Sequence, residues 1–353
     1  MSSLQLPRTP AWEGQPPKQP VFVAAPDEVN AMICERLGID GPLHTLSSNT
    51  AINAENVNSL TGYYRAPATE RHPALFIKIV EQSRAGPLLS ADPIACYVAD
   101  KGIPAACLIG TFTKAVNGDY YALTYPYHEA RFAQLHNSDM SNFGGTLGRL
   151  HRTLAEAPFQ QKVKENAIKR EALLHDTQQH LEQVDQSSVR GEILQILKRS
   201  ALRCPDTGWP EQIIHGDMNY GNVLFPARTP DQPLLLDFED TALSWHSPLV
   251  DIAFVIERFI LMRTADDNQA YCLAETLISA YTSQYPEALP PVEKGCLVNL
   301  LKSLSIRALC LLATLALKDI PVPQNEWDKF VVLYTQAQKR NKLINRVESL
   351  LSL

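Results

Sequence analysis

The chain has 353 residues, of which 45% are hydrophobic, and it carries a formal net charge of −6 with a pI near 5.9. This length and apolar content allow a large buried core and suggest two subdomains or domains. The acidic balance, without dense clusters of Lys and Arg, argues against nucleic acid as a partner. The seven cysteines are scattered and form no CxxC pair, so we expect reduced, mostly buried thiols in a cytoplasmic protein.

The N-terminal segment, residues 1–25, is predicted to be a flexible extension. Its first twenty residues are rich in Pro, Gln and Ser and show no hydrophobic periodicity. They also lack the apolar core of a secretory signal. From Asp27 onward, apolar residues recur at helical spacing as far as Leu37, and Gly38 follows them. This pattern predicts an amphipathic helix that ends at a glycine cap.

Three β-strands are predicted between residues 43 and 80, in the stretches LHTLSS, SLTGYYRA and ALFIKIV. Lys78 lies in the third stretch with two apolar residues on each side. Taken alone, it is either a solvent-facing lysine on an edge strand or a functional charge within the sheet.

A helix is predicted to begin near Ser90 or Asp92, because either side chain can cap a helix whose first turn contains Pro93. It ends near Gly102. Two further strands are predicted at 106–112 and 120–125, and the turn composition of residues 116–119 joins them.

From Ser141 onward the apolar period becomes that of helices. One face of the first helix carries four apolar residues, and His151 on it is interpreted as structural. The most apolar run, 296–317, contains Lys302 and Arg307, which leave too short an uncharged stretch to span a bilayer. We therefore expect a buried helix and no membrane partner. Helical patterns cover 164–203, 251–263, 267–283, 292–318 and 325–350.

The strongest chemical signal is HGDMNYGNVLF at residues 215–225, followed by LLLDFED at 234–240. It contains a carboxylate at Asp217, an amide at Asn222 and a second carboxylate at Asp237 after an apolar strand. A Gly-Asp turn before a hairpin is the simpler interpretation of the first stretch alone. Together the two stretches have the form of a phosphoryl-transfer site, in which one Asp orients a hydroxyl and an Asn and an Asp hold Mg²⁺.

These motifs resemble the catalytic core of the aminoglycoside phosphotransferase and choline kinase superfamily, small-molecule relatives of the protein kinases. The resemblance covers roughly residues 42–320. It implies an α+β, protein-kinase-like, two-lobed fold with a small antiparallel β-sheet N-lobe and a larger, mainly helical C-lobe. The expected domains are the extension 1–25, a nucleotide-binding N-lobe at 26–127, and a C-lobe at 128–353 with the catalytic and metal site and the acceptor pocket.

The resemblance also implies roles for individual residues. Asp217 would orient the acceptor hydroxyl, and Asn222 and Asp237 would bind the metal. Lys78 and Asn58 would contact the nucleotide. The loop 49–58 has no glycine, so its asparagines and the serines that flank it would have to replace the glycines that cover phosphates in other kinases.

Several neighbouring residues have two open interpretations. In this family a helix glutamate pairs with the strand lysine, and here Asp92 and Glu81 compete for that position. Glu239 would either reach a second metal or face solvent. Asp251 would either cap its helix or brace the catalytic loop, and His215 is interpreted as a structural residue that hydrogen-bonds the backbone.

The predicted function is therefore an ATP-dependent phosphotransferase, a kinase that uses ATP and Mg²⁺ to phosphorylate a hydroxyl of a small molecule. The alternative is a catalytically inactive, nucleotide-binding or scaffold protein with the same fold. Aminoglycosides, choline or ethanolamine, homoserine, methylthioribose and sugars all suit this architecture as acceptors, because substrate choice lies in a site grafted on the fold. The oligomeric state is open at this stage.

Overall fold

The computed structural model describes residues 21–46, 60–184, 191–285 and 289–352. These residues form two compact units. The first, here called the sheet unit, combines the described parts of Pro17–Phe132 with Gly221–Ala242. The second, here called the helical unit, is built mainly from Ala133–Tyr220 and Leu243–Leu353.

The sheet unit contains a six-stranded sheet in which each pair of neighbours is antiparallel. Its strands follow chain order except at one end, where Tyr120–Pro126 lies between Leu75–Glu81 and the edge strand Lys114–Ala115. A smaller sheet has the order Leu234–Leu235, Val223–Pro226, Ala130–Phe132. The strands of the large sheet are Phe22–Ala24, His44–Leu46, Gly62–Ala66, Leu75–Glu81, Lys114–Ala115 and Tyr120–Pro126.

The strand that carries Lys78 is central. Lys78 lies opposite Tyr63 on one neighbour and Leu123 on the other. Ile77 and Ile79 are buried on one face of the strand, and Lys78 points to the other face because side chains alternate along a strand. The three strands predicted between 43 and 80 are confirmed, and the edge-strand interpretation of Lys78 is wrong.

The first helix, Asp27–Leu37, is confirmed together with its glycine cap, since Gly38 adopts the left-handed conformation with φ 70°. The second begins earlier than predicted and runs from Gln82 to Asp100. The predicted cap at Ser90 or Asp92 is wrong, because the helix passes through both. Each proline inside the helix removes one backbone donor, but the packing of buried side chains along the helix outweighs this cost.

The strand predicted at 106–112 is also wrong. This segment divides its backbone hydrogen bonds between two partners, since the amide of Ala106 donates to Leu235 and that of Ile109 donates to Thr124. A 3₁₀ turn at Gly110–Phe112 follows. The next turn is confirmed, with the Asn117 side chain accepting two backbone hydrogen bonds at 2.9 Å.

In its described residues, the helical unit consists of helices and one short pair of strands, Gln212–Ile213 and Trp245–His246. The helix predicted at 251–263 is α-helical only to Val255 and continues as a π-helix at Ile256–Leu261. The helix predicted at 325–350 is divided at Arg340. The α-helices are Asn137–Ala155, Gln160–Gln179, Gly191–Arg199, Leu249–Val255, Asp267–Gln284, Cys296–Ala316, Gln324–Lys339 and Asn341–Glu348.

Cys296–Ala316 is the one helix in the described part of the chain that is long and apolar enough to cross a membrane, with a hydropathy of 1.7. Of the most apolar 18-residue stretch of this helix, 56% is buried, so the expected buried helix is confirmed. All seven cysteines are free thiols, but only Cys296 and Cys310 are buried. The expectation of mostly buried thiols is therefore wrong.

Two helices of the helical unit, Asn137–Ala155 and Asp267–Gln284, approach each other closely at glycines. A Cβ atom on Gly144 would lie 2.2 Å from the carbonyl oxygen of Leu277, a distance that side chains do not tolerate. Gly145, the next residue, has room, since its Cβ would meet its nearest neighbour at 3.7 Å. The contact between the helices therefore depends on the absence of a side chain at residue 144.

Gly144→Ala should lower the free energy of unfolding by roughly 2–3 kcal/mol, because one helix must shift to admit the methyl group. Gly145→Ala is the matched control and should leave it unchanged or raise it by about 0.5–1 kcal/mol, since alanine favours the helix. Urea denaturation measures both changes. A similar effect of the two substitutions would contradict the close approach at Gly144.

Candidate active site

A hairpin of the sheet unit brings Asn222 and Asp237 to one end. Val223 lies opposite Leu235 in its two strands, and the next backbone amide, that of Leu236, donates to the carbonyl of Asn222 at 2.9 Å. Asp237 follows directly with φ 57°, a left-handed conformation that residues other than glycine rarely adopt. Such backbone strain is concentrated at functional sites.

Lys78 joins this end of the hairpin through two ion pairs. Its Nζ lies 3.6 Å from Asp237 Oδ1 and 3.5 Å from Glu239 Oε2. Burial lowers the pKa of Lys78, but the two carboxylates outweigh it and leave the pKa raised, so the ammonium is charged at neutral pH. Neither Asp92 nor Glu81 is the partner that Lys78 has here. Asp92 instead accepts a hydrogen bond from the backbone amide of Leu108 at 2.8 Å.

The charges at this end suit a divalent cation. Burial, followed by the nearby Asp237, raises the pKa of Glu239, and Lys78 opposes both effects. Two carboxylates share one ammonium, so the cluster has a surplus negative charge when both are ionised. The described residues contain no group of three or more His, Cys, Asp or Glu able to hold a metal. The carboxylate of Asp237 and the side-chain amide oxygen of Asn222 are hard donors of the kind that Mg²⁺ takes when phosphate and water oxygens complete its shell.

The HGD segment lies in the helical unit and is held by a buried carboxylate. Asp251 is fully buried and accepts backbone hydrogen bonds from His215 at 2.8 Å and Gly216 at 2.9 Å. Burial raises the pKa of Asp251, but its hydrogen bond and charge interaction with His151 outweigh burial and leave the pKa below its ordinary value. Of the two interpretations of Asp251, bracing of the loop is confirmed. Asp217 itself accepts a hydrogen bond from the Asn219 side chain at 2.9 Å.

Behind Asp251, a network of buried side chains extends into three other elements of the unit. The two ring nitrogens of His151 lie 3.0 Å from Asp251 Oδ2 and 3.0 Å from the hydroxyl of Tyr281. Tyr281 stacks on Tyr285, whose hydroxyl donates to Gln212 at 3.3 Å. The structural interpretation of His151 is confirmed. Its partners lie far along the chain, and nothing in the local pattern pointed to them.

The predicted site residues are thus divided between the two units. Lys78, Asn222 and Asp237 belong to the sheet unit, where an ion pair joins Lys78 to Asp237. Asp217 belongs to the helical unit and precedes Asn222 by five residues in the chain. Asn58, with the rest of the loop 49–58, lies outside the described residues. Glu239 was left open by the sequence, and its contact with Lys78 was not anticipated.

Asp251→Ala should lower the free energy of unfolding by roughly 3–5 kcal/mol, because it leaves buried donors without an acceptor. Asp267→Ala removes an aspartate of the same unit whose side chain is 59% exposed beside Arg340, and it should cost at most about 1 kcal/mol. Urea denaturation compares the two. A loss at Asp251 no larger than that at Asp267 would contradict the bracing role.

The Asp251 carboxylate also makes the stability of the protein depend on pH, and the direction of this dependence follows from its lowered pKa. Because its pKa is lowered on folding, the contribution is complete above the ordinary value of 3.8 and is lost as the pH falls through the lower, folded value. Asp251→Asn should therefore show a smaller loss of stability between neutral pH and about pH 3 than the parent protein does.

Comparison with known proteins agrees with this geometry. A model described as "Phosphotransferase enzyme family" matches residues 69–288. No curated protein sequence matches the chain. The apo structure of a thermostable mutant of aminoglycoside phosphotransferase APH(4)-Ia is 13% identical with a TM-score of 0.54, and 90% of this chain and 98% of that chain are covered. A ternary complex of a thermostable mutant of the same enzyme with ADP and hygromycin B is 13% identical with a TM-score of 0.51, and 91% of this chain and 98% of that chain are covered.

An aminoglycoside phosphotransferase from Alicyclobacillus acidocaldarius is 14% identical with a TM-score of 0.48, and 82% of this chain and 90% of that chain are covered. At such identities the likeness to APH(4)-Ia shows the fold alone. The predicted α+β, two-lobed, protein-kinase-like fold is confirmed. Because the matched residues 69–288 make up more than half of the chain, the protein belongs to the phosphotransferase enzyme family.

Proposed function

We propose that the protein is an ATP-dependent kinase that transfers the γ-phosphoryl group to a hydroxyl of a small molecule. One observation carries the proposal. Lys78 pairs with Asp237 and Glu239 at the end of the hairpin where Asn222 also lies, within a member of a phosphotransferase family. A lysine beside a magnesium-binding pair is the arrangement that kinases use to hold the phosphates of ATP.

In this proposal the sheet unit holds the nucleotide. The Lys78 ammonium neutralises the α- and β-phosphates, and Asn222 and Asp237 hold Mg²⁺ through their oxygens. When bound, the metal neutralises charge that develops on the phosphate oxygens. Glu239 keeps Lys78 charged and in place, since the carboxylate lies 3.5 Å from the ammonium.

Asp217 orients the acceptor. The oxygen of the acceptor hydroxyl forms a bond to the γ-phosphorus while the bond from that phosphorus to the bridging oxygen of ADP breaks. ADP leaves with the electron pair, and Asp217 takes the hydroxyl proton late, because a loose transition state needs orientation more than a strong base. Asp251 contributes by fixing the backbone of the two residues that precede Asp217.

The acceptor is proposed to be a small alcohol. One structural neighbour was crystallised with ADP and hygromycin B, and that statement concerns the neighbour. For this chain the panel to test contains aminoglycosides, choline, ethanolamine, homoserine, methylthioribose and simple sugars. All of them offer a hydroxyl group for Asp217 to orient.

Asp217→Asn should lower phosphate transfer from labelled ATP to the accepted alcohol by roughly 10²–10⁴-fold, because the amide cannot take the proton. Binding of Mg²⁺–ATP should be retained, since the substitution leaves Lys78, Asn222 and Asp237 intact. Unchanged turnover would remove Asp217 from its proposed role. Stabilisation by Mg²⁺–ATP without turnover on any acceptor would favour the alternative of a nucleotide-binding protein without catalysis.

Asp237→Asn should weaken the Mg²⁺-dependent binding of ATP about tenfold or more, because it removes the one charged metal ligand proposed. Asp231→Asn is a matched control, since Asp231 is an exposed residue in the turn of the same hairpin and loses the same charge. Calorimetric titration with ATP, with and without Mg²⁺, measures the difference. Equal behaviour of the two variants would show that Asp237 does not bind the metal.

A further inference from the structure

Arg263 of the helical unit differs from other arginines of that unit in its choice of partners. Three of those arginines have side chains that are 13%, 10% and 12% exposed, and each pairs with a carboxylate: Arg258, Arg307 and Arg340. Arg263 is also partly buried, but it forms no ion pair with a residue in the described parts of the chain. A charge in such a place is costly unless an opposite charge or hydrogen bonds stabilise it.

The hydrogen bonds of Arg263 use one side of its guanidinium only. Nη1 donates to the carbonyl of Ala133 at 3.0 Å. Nε is buried and has no hydrogen-bond partner among the described residues, and the same residues supply none for Nη2. Nε and Nη2 share one edge of the guanidinium, and two N–H groups on one edge match the two oxygens of a carboxylate or phosphate. The protein therefore binds one side of the group and leaves the edge suited to an anion without a described partner.

The nearest acid does not compensate the charge of Arg263. Burial lowers the pKa of Arg263, and its interactions with Tyr220 and Asp139 oppose burial without outweighing it. Asp139 is buried and already serves the start of the helix Asn137–Ala155, where its Oδ2 accepts a hydrogen bond from the backbone amide of Gln134 at 2.8 Å. The guanidinium itself stays protonated at neutral pH. A positive charge therefore remains beside the Tyr220 ring.

Arg263 lies against the HGD segment. Its guanidinium carbon is 5.8 Å from the centre of the Tyr220 ring, and Tyr220 follows Asp217 by three residues. Three residues span at most about 11 Å. The backbone turns here, because the amide of Asn219 donates to the carbonyl of Asp217 at 2.8 Å. Asp217, Tyr220 and Arg263 are all partly exposed, so they belong to one small region that a ligand can contact.

The π-helix Ile256–Leu261 directs two side chains to the Tyr220 ring. Phe259 meets that ring edge-on, with the ring centroids 6.5 Å apart. Arg263 follows four residues later, directly after the helix, and lies over the same ring. A π turn holds about one residue more than an α turn, so an α-helix over these residues would rotate Arg263 by roughly 100° relative to the start of the helix. Such turns are frequent at functional sites.

We propose that Arg263 binds an anionic group of the acceptor, so that the acceptor is an alcohol that also carries a carboxylate or a phosphate. The inference rests on the proposed kinase reaction, which assigns the acceptor hydroxyl to Asp217. The edge with Nε and Nη2 donates two hydrogen bonds to the anion, and the Tyr220 ring supports the guanidinium. Such charge-assisted pairs are strong and directional. A neutral or cationic alcohol leaves the arginine without this partner, so the site discriminates against it.

Four alcohols that share a three-carbon skeleton and differ in charge test the proposal: glycerate, glycerol 3-phosphate, glycerol and 3-amino-1,2-propanediol. Calorimetric titration uses the full chain without ATP or Mg²⁺. We expect at least one of the two anions to bind saturably and about tenfold tighter than glycerol or the amine. The tighter anion identifies the class of acceptor. Because no turnover is measured, a failure to bind leaves the proposed reaction at Asp217 open, and a failure of phosphate transfer leaves the binding result standing.

Two arginines that each lie on a tyrosine ring provide a matched pair of variants. Arg263→Met removes the charge and keeps an unbranched side chain, and the anion should then bind no tighter than glycerol. Arg346→Met is the control, since Arg346 is an exposed arginine of the same unit that lies 4.6 Å from the centre of the Tyr271 ring. It should leave the binding of the anion unchanged. Both variants should bind Mg²⁺–ATP as the parent does, because the nucleotide is proposed to lie in the sheet unit.

Three results overturn the proposal: no saturable binding of either anion up to ~10 mM, binding of glycerol or the amine as tight as that of the anions, and equal effects of Arg263→Met and Arg346→Met. Loss of Mg²⁺–ATP binding in a folded Arg263→Met variant also overturns it, because the guanidinium would then serve the nucleotide. If circular dichroism shows that this variant does not fold, Arg263→Lys replaces it. Lysine keeps the charge but lacks the fork, so the anion should bind about threefold weaker or more, and unchanged binding contradicts the proposal.

Discussion

The buried carboxylate of Asp251 is the constraint on which the helical unit depends. An ionised group without solvent is costly unless hydrogen bonds and opposite charge stabilise it. Here the stabilising partners are the backbone amides of His215 and Gly216 and the ring of His151. The requirement acts in both directions, because the same contacts that keep Asp251 ionised also fix the backbone that leads to Asp217. Loop geometry and the stability of the unit are therefore coupled.

The Asp237 carboxylate of the sheet unit lies in a different environment from that of Asp251. Among the described residues, the Asp237 carboxylate has one ion pair, with the Lys78 ammonium at 3.6 Å, which is longer than a hydrogen bond. Its side chain is 36% exposed, whereas that of Asp251 is completely buried. A carboxylate with few protein partners retains lone pairs for a metal, and one with three hydrogen bonds does not. The environment of Asp251 is thus that of a structural carboxylate, and the environment of Asp237 is compatible with the metal ligand proposed above.

The sequence was sufficient where a short-range pattern determines the outcome. An apolar run predicted the strand with Lys78, and the motifs around Asp217 and Asp237 resembled a superfamily whose fold the chain has. It was insufficient where distant partners decide. The acids beside Lys78 come from a hairpin about 160 residues later, so neither Asp92 nor Glu81 was the partner. Prolines suggested that the second helix begins near residue 90, but packing extends it back to residue 82.

The helical unit contains a cavity of about 530 Å³ that sequence reasoning did not predict. Its lining residues come from four segments between 164 and 307, and each segment alone has an ordinary local interpretation. No sequence pattern paired Glu171 with Arg307 of the predicted buried helix, yet in the fold the two form an ion pair, and Arg307 is buried. A buried ion pair rarely stabilises a fold more than apolar side chains of the same size would. The partners lie 136 residues apart in the chain, so only the fold shows that the two charges compensate each other.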